Sequence, residues 1–236
     1  MGLDKNGTKF LLYAKLLGVD FAKTATLGRQ GLHLSPDDLK ENIKIFQYQI
    51  EDEMLNNFFI NNNGYAEEFI QYLGANYVHS FDYSKYEGST YVHDMNIAIS
   101  NEFKNKYTVL LDGGALEHVF NFPVAIKNCM EMVEIGGHYL GITPANNFMG
   151  HGFYQFSPEV FFRVFAEENG YKLIKIMLFE DCPHTQWLSV KDRKMIVTIV
   201  NRLPAYLLIV AKKIKNVTIF ENLPQQSAYT SKMWND

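Results

Sequence analysis

The sequence predicts an α/β protein: a mostly parallel sheet with helices on both faces. Three observations carry that expectation. Short runs rich in β-branched and aromatic residues alternate with stretches of helical periodicity. Three of the runs stop at an aspartate, namely Tyr77–Phe81 before Asp82, Thr90–His93 before Asp94 and Tyr107–Leu111 before Asp112. The chain is also long enough, at 236 residues and 47% hydrophobic, to bury such a sheet without disulfide or metal support.

Each element has a local reason. Phe10–Leu17 places Phe10, Tyr13, Leu16 and Leu17 on one helical face, with Gly18 as the stop. Thr24–Leu27 is a short strand ended by Gly28-Arg29-Gln30-Gly31. Ser35-Pro36-Asp37-Asp38 opens a helix, with serine as N-cap, proline at the first turn and acids against the helix dipole. Leu39, Ile43, Phe46 and Ile50 give it a buried stripe, and a second helix over Ala66–Leu73 stops at Gly74. A helix over Phe122–Val133 is broken by Gly136-Gly137, and His138–Thr143 forms the next strand. Ser157-Pro158-Glu159 caps a further helix closed by Asn169-Gly170, and Tyr171–Phe179 and Ala205–Lys212 are the last strands. One spacing is tight: only eight residues separate Asp82 from Tyr91, where a parallel crossover usually needs about a dozen.

These elements form one domain over residues 1–236, with an N-terminal helical segment (1–23) and a polar tail (223–236). The formal net charge of -4 argues against binding nucleic acid through a broad basic face. The longest apolar run, Ala205–Ala211, is too short to cross a bilayer, and MGLDKNGTKF lacks a signal pattern. Two distant thiols, Cys129 and Cys182, have no zinc-like spacing and fit a reducing compartment, so a cytoplasmic protein is expected.

In a parallel sheet, ligands bind beyond the carboxyl ends of the strands. Those ends present Gly28, Asp82, Asp94 with Met95, and Asp112. A glycine lets a ligand approach the backbone, a carboxylate can accept both hydroxyls of a ribose, and a polar–apolar pair can hold an adenine edge and face. That is a nucleoside layout. Aspartates also end strands merely because they favour turns; three in succession after a glycine turn favour the nucleoside reading.

The stretch Leu110-Leu111-Asp112-Gly113-Gly114-Ala115-Leu116-Glu117-His118-Val119, then Glu134-Ile135-Gly136-Gly137-His138, resembles class I S-adenosylmethionine-dependent methyltransferases. The resemblance spans about residues 24–212. It implies a Rossmann-like seven-stranded sheet with the last strand antiparallel, S-adenosylmethionine as cofactor, and Gly28, Arg29, Gln30, Asp82, Tyr83, Asp94, Met95, Asp112 and Gly113 as cofactor-binding residues. The usual acidic, glycine-rich first motif is replaced by Thr26-Leu27-Gly28-Arg29-Gln30. That loop, Asp82-Tyr83-Ser84-Lys85-Tyr86-Glu87-Gly88 and the segment 146–158 resemble a branch often found among bacterial surface-polysaccharide genes. Its implied activity is O-methylation of a small polar acceptor, a sugar or a phosphoryl-linked precursor.

The loop after the fifth strand, residues 146–156, combines three amides, glycines, an imidazole, a phenol and three Phe rings. His151 is the first candidate base there, because an uncharged hydroxyl needs a base tuned near neutral pH. Asn146, Asn147, Tyr154 and Gln155 are expected to bind the acceptor. Core filling explains some of the Phe rings. His118 is the second candidate base, or a positioning residue. His79 and His93 are expected as core or surface strand residues. No metal is expected: a pairing of His184 with His151 lacks ligand spacing. Arg29 suits a cofactor or substrate carboxylate, or an ordinary ion pair. Two other readings stay open: a non-catalytic methyltransferase-like binding protein, and a nicotinamide-dependent enzyme, against which stands the absence of Gly-x-Gly-x-x-Gly.

Overall fold

The structure, a computed structural model, describes residues 2–182, 185–192 and 200–230. In chain order the elements are β1 (Gly2–Leu3), α1 (Lys5–Leu16), β2 (Lys23–Leu27), β3 (Gly31–Leu32), α2 (Pro36–Ile45), α3 (Asp52–Ile60), α4 (Glu67–Tyr72), β4 (Tyr77–Asp82), β5 (Tyr91–Val92), β6 (Tyr107–Asp112), α5 (Phe122–Met132), β7 (Val133–Asn146), α6 (Pro158–Val164), β8 (Tyr171–Glu180), β9 (Leu188–Ser189), β10 (Ala205–Lys213) and α7 (Ser227–Thr230). The main sheet has the order β5-β4-β2-β6-β7-β10-β8-β9, and β1 pairs with β3 in a separate two-stranded ribbon. The fold is thus an α/β sandwich with a mostly parallel sheet. The expected seven strands become eight of mixed orientation, because Leu188–Ser189 adds an exposed antiparallel edge too short to signal itself.

Strand alternation divides the core into two layers. In β10, Leu207, Ile209 and Ala211 face α5 and α6, while Leu208 and Val210 face the layer of α1, α2, α3 and α4. In β6, Leu110 turns to the first layer, and Val109 and Leu111 to the second.

Several expectations need correction. α1 starts at Lys5, because Asp4 caps it by accepting a 2.7 Å hydrogen bond from Gly7 N. The N-terminal segment therefore begins with a strand, β1, rather than being helical throughout. The expected helix stops short of Phe46 and Ile50: α2 ends at Ile45, Gln47 adopts φ +61, Ile50 lies in the connection, and a separate helix, α3, starts at Asp52. Gly136-Gly137 does not stop α5; Val133 does, and the glycines sit within the long β7. There, a Cβ on Gly137 would lie 2.8 Å from Thr108 O, so the pair permits close approach to β6. α6 ends at Val164, well before Gly170.

The tight crossover resolves simply. β5 has two residues and pairs in parallel at the very end of β4, Phe81 with Tyr91 and Asp82 with Val92. The chain retraces only one short step of strand height before pairing. Ser80 and Thr90 hold that step through reciprocal backbone–hydroxyl bonds of 3.1 and 3.0 Å. No helix among the described residues is long and apolar enough to cross a membrane.

Candidate functional site

The carboxyl ends of β2 and β4 and the segment after β5 enclose a cavity of about 270 Å³. Gly28, Asp82, Tyr83, Asp94 and Met95 line it, together with Leu27, Phe81, His93, Asn96, Ala115, His118 and Val119. Gly28 has φ +67, a conformation that glycine adopts without a Cβ penalty, and its N–H donates to Phe81 O at 2.7 Å. The turn after β2 is thereby fastened to β4. Asp94 Oδ1 accepts Asn96 N at 2.9 Å and Asn96 Nδ2 at 2.8 Å, and these bonds hold its carboxyl below the usual range. Tyr83 is 76% exposed at the rim. His93, expected as an ordinary strand residue, lies just past β5 in this wall. His79 stays structural: its Nδ1 meets Tyr107 OH at 3.2 Å.

Arg29 and Gln30 turn away from the cavity. Arg29 Nε donates to Glu67 at 2.6 Å, one terminal nitrogen donates to Glu87 O at 3.1 Å, and the guanidinium stacks 3.9 Å over Tyr65. The residue ties α4 to the β4–β5 loop. Gln30 is buried, donating from Nε2 to Leu27 O at 2.7 Å, and its Oε1 has no partner among the described residues. A Cβ on Gly113 would fall 2.2 Å from that Oε1, so a side chain there would displace the Gln30 amide.

Asp112 lines neither this cavity nor a second one beyond it. It is fully buried, accepts Ala115 N at 2.8 Å on Oδ1 and Tyr139 OH at 3.1 Å on Oδ2, and burial raises its carboxyl above the usual range. Its work is to fix the turn that carries Gly113 and Gly114.

Beyond that turn lies a second cavity of about 290 Å³, walled by Gly113, Gly114, Glu117, His118, Ile142 and His151, and by Gly2, Asp4, His33, Phe179 and Tyr206. His118 belongs to both walls, so the two cavities meet at its imidazole. Burial and the neighbouring His151 lower the His118 pKa, which keeps the ring neutral near pH 7. The two imidazoles lie 5.0 Å apart between centroids. Glu117 is only 1% exposed; burial, then the Asp112 charge, raises its carboxyl.

The remaining acceptor candidates are committed to hydrogen bonds that hold the 146–156 loop, one within it and three to neighbouring segments. Asn146 Nδ2 donates to Asn201 Oδ1 at 2.5 Å, Asn147 Nδ2 to Leu203 O at 3.0 Å, and Tyr154 OH to Phe120 O at 2.6 Å; Gln155 Oε1 accepts Phe148 N at 2.7 Å. None of the four lines either cavity. Of the loop's rings, Phe156 joins the core, whereas Phe153 stays exposed beside Phe120. Sequence reasoning passed over Glu117, although it sits beside His118 in the motif, and over Asp4, His33 and Tyr206, which no motif marks. His184 lies outside the described residues.

No protein-family model and no curated protein matches the sequence. Solved structures do match in fold. The MccD protein aligns with a TM-score of 0.50 at 10% identity, over 90% of this chain and 100% of its own. An S-adenosylmethionine-dependent methyltransferase from Mesorhizobium loti aligns at 0.47 and 12% identity, over 85% and 95%. A putative one from Listeria monocytogenes aligns at 0.45 and 13%, over 87% and 99%. At such identities the likeness speaks to the fold alone: the chain shares its α/β sandwich with these solved structures, some of which are S-adenosylmethionine-dependent methyltransferases.

Proposed function

We propose that the protein is a cytoplasmic S-adenosylmethionine-dependent methyltransferase that methylates a hydroxyl or phosphoryl oxygen of a small polar acceptor, such as a sugar-linked precursor of surface polysaccharide. The observation that carries this reading is the pair of cavities that meet at His118. A group-transfer enzyme needs two adjoining sites, one for each reactant, with the reacting atoms in line between them.

The donor set of the first cavity suits the cofactor. The Asp82 carboxylate would accept the ribose hydroxyls, and Asp94 with Met95 would hold the adenine edge and face. Gly28 leaves room for the backbone to approach. S-adenosylmethionine supplies an electrophilic methyl group on a sulfonium. The acceptor would lie in the second cavity with its oxygen toward the His118–His151 face, where its proton is taken up. His118, neutral at pH 7, is ready for that task.

A calorimetric and thermal-shift panel of S-adenosylmethionine, S-adenosylhomocysteine and the nicotinamide dinucleotides tests the reading. Selective binding of the first two is expected. Binding of a nicotinamide dinucleotide alone, or of none, would overturn it. The acceptor would then be sought by incubating sugar nucleotides and phosphorylated precursors with labelled S-adenosylmethionine.

A further inference from the structure

We propose that Glu117, His118 and His151 bind one divalent first-row transition-metal cation in the wall of the second cavity. One ligand atom from each residue lies within 4.8 Å of the others, and His151 Nε2 stands 3.8 Å from Glu117 Oε1. Metal–nitrogen and metal–oxygen bonds of about 2.0–2.2 Å need ligand atoms roughly 3–3.5 Å apart. The cluster is thus one small side-chain adjustment from coordination. His151 is the residue able to make it, with a side chain 46% exposed on a loop flanked by Gly150 and Gly152.

Two further observations point to a ligand rather than to a chance cluster. Glu117 Oε2 is buried and has no partner among the described residues. An unsatisfied buried carboxyl oxygen is costly, and a cation removes that cost. The loop carrying His151 is also latched to Glu117: Phe153 N and Tyr154 N both donate to Glu117 O, at 2.8 and 3.2 Å. Gly152 permits that contact, since a Cβ there would lie 2.8 Å from Glu117 O and 3.1 Å from His118 Nδ1. The backbone that presents the third ligand is therefore held against the residue that supplies the first.

Two imidazoles and one carboxylate suit zinc, cobalt, manganese, iron or nickel, rather than magnesium or calcium, which prefer all-oxygen sites. Three protein ligands leave coordination positions open toward the cavity. The role of the cation rests on the methyltransferase reading. With the cation bound, His118 and His151 serve as ligands in place of a base, and an acceptor hydroxyl bound there would lose its proton to solvent near neutral pH. Its oxygen then forms the bond to the methyl carbon as the carbon–sulfur bond breaks and its electron pair passes to sulfur.

The test uses the whole chain after treatment with a chelator. Equilibrium dialysis against zinc, with elemental analysis, should give one cation per chain. Cobalt titration should produce visible d–d absorption. Glu117→Gln and His151→Ala should each weaken binding by at least about tenfold. His151 lies on an exposed loop, so its variant reads the site even if the buried Glu117 variant misfolds; circular dichroism checks both. No cation on the wild-type protein, or unchanged affinity in His151→Ala, would overturn the proposal. S-adenosylhomocysteine calorimetry on the same samples separates the two readings. Cation without nucleoside leaves the metal site and removes the methyltransferase; nucleoside without cation does the reverse.

Discussion

The two cavities are similar in size and built in opposite ways. The first takes its walls from the ends of neighbouring strands, β2, β4 and β5, close together in one half of the sheet. The second gathers residues from Gly2 to Tyr206: the β1–β3 ribbon, the turn after β6, β7 and its following loop, β8 and β10. The first is therefore a property of the fold, whereas the second is a property of this chain's own loops and end. A nucleoside site at strand ends can be shared by many proteins of the architecture. What distinguishes this protein lies across the His118 boundary.

Perturbations should respect that boundary. The largest effect is expected on the acceptor side, where His118→Ala and His151→Ala should each lower turnover by about 10²–10⁴-fold in a methyl-transfer assay. Their effects on cofactor should differ. His118 borders both cavities, so its variant should also shift S-adenosylhomocysteine affinity, while His151→Ala should leave that affinity unchanged. Wild-type turnover in both variants would remove the imidazoles from the chemistry.

On the nucleoside side, Gly28→Val should abolish cofactor binding by calorimetry. It should also lower the melting temperature, because a β-branched residue at φ +67 is strained by about 1–3 kcal/mol. Normal binding by the folded variant would put the cofactor elsewhere. Asp82→Ala is milder. It should weaken S-adenosylhomocysteine by about 1.5–3 kcal/mol for each charged hydrogen bond lost. Unchanged affinity would detach Asp82 from the ribose.

A pH effect should appear outside both cavities. Burial first, then the Lys212 charge, lower the His138 pKa to about 4. The unfolded chain takes up that proton near pH 6.5, before the folded one does. The stabilisation is thus complete above about 6.5 and is lost as pH falls toward 4, by about 1–3 kcal/mol in urea titrations. His138→Gln should flatten the profile, and cofactor affinity in His138→Gln at pH 7 should match wild type. The smallest effect belongs to Arg29→Met, which loosens the tie between α4 and the β4–β5 loop. A stability loss of about 1 kcal/mol is expected. Nucleoside affinity should hold, since the guanidinium is spent on Glu67, Glu87 and Tyr65.

The same contrast explains what could be read in advance. Ser35-Pro36, the β-branched runs and the strand-ending aspartates are local signals with local causes, and they located α2, most of the sheet and the Gly28–Asp82–Asp94 wall. Gln47 carries no turn signature, so the break between α2 and α3 was invisible. Asp112 follows the same strand-end pattern as Asp82, yet β6 is central and its last residue is sealed beneath Tyr139 and the following turn. The amides at Asn146, Asn147 and Gln155 and the Tyr154 phenol had the chemistry of ligand binders, but they are spent on anchoring the loop, to Phe148 N within it and to Asn201, Leu203 and Phe120 beside it. The wall that joins Asp4, His33 and Tyr206 depends on contacts between distant parts of the chain, which periodicity does not encode.

The position of β10 bears on how the protein is made. It is the last long strand in the sequence, yet it lies between β7 and β8, antiparallel to both. During synthesis, β8 emerges without its inner neighbour, and the sheet stays divided until Lys213 has left the ribosome. The half that carries Gly28, Asp82 and Asp94 can form while translation continues. The wall containing Tyr206 cannot. A truncated or stalled chain would therefore retain the first cavity with no second one beside it, and it would expose the edges of β7 and β8, which invite mispairing.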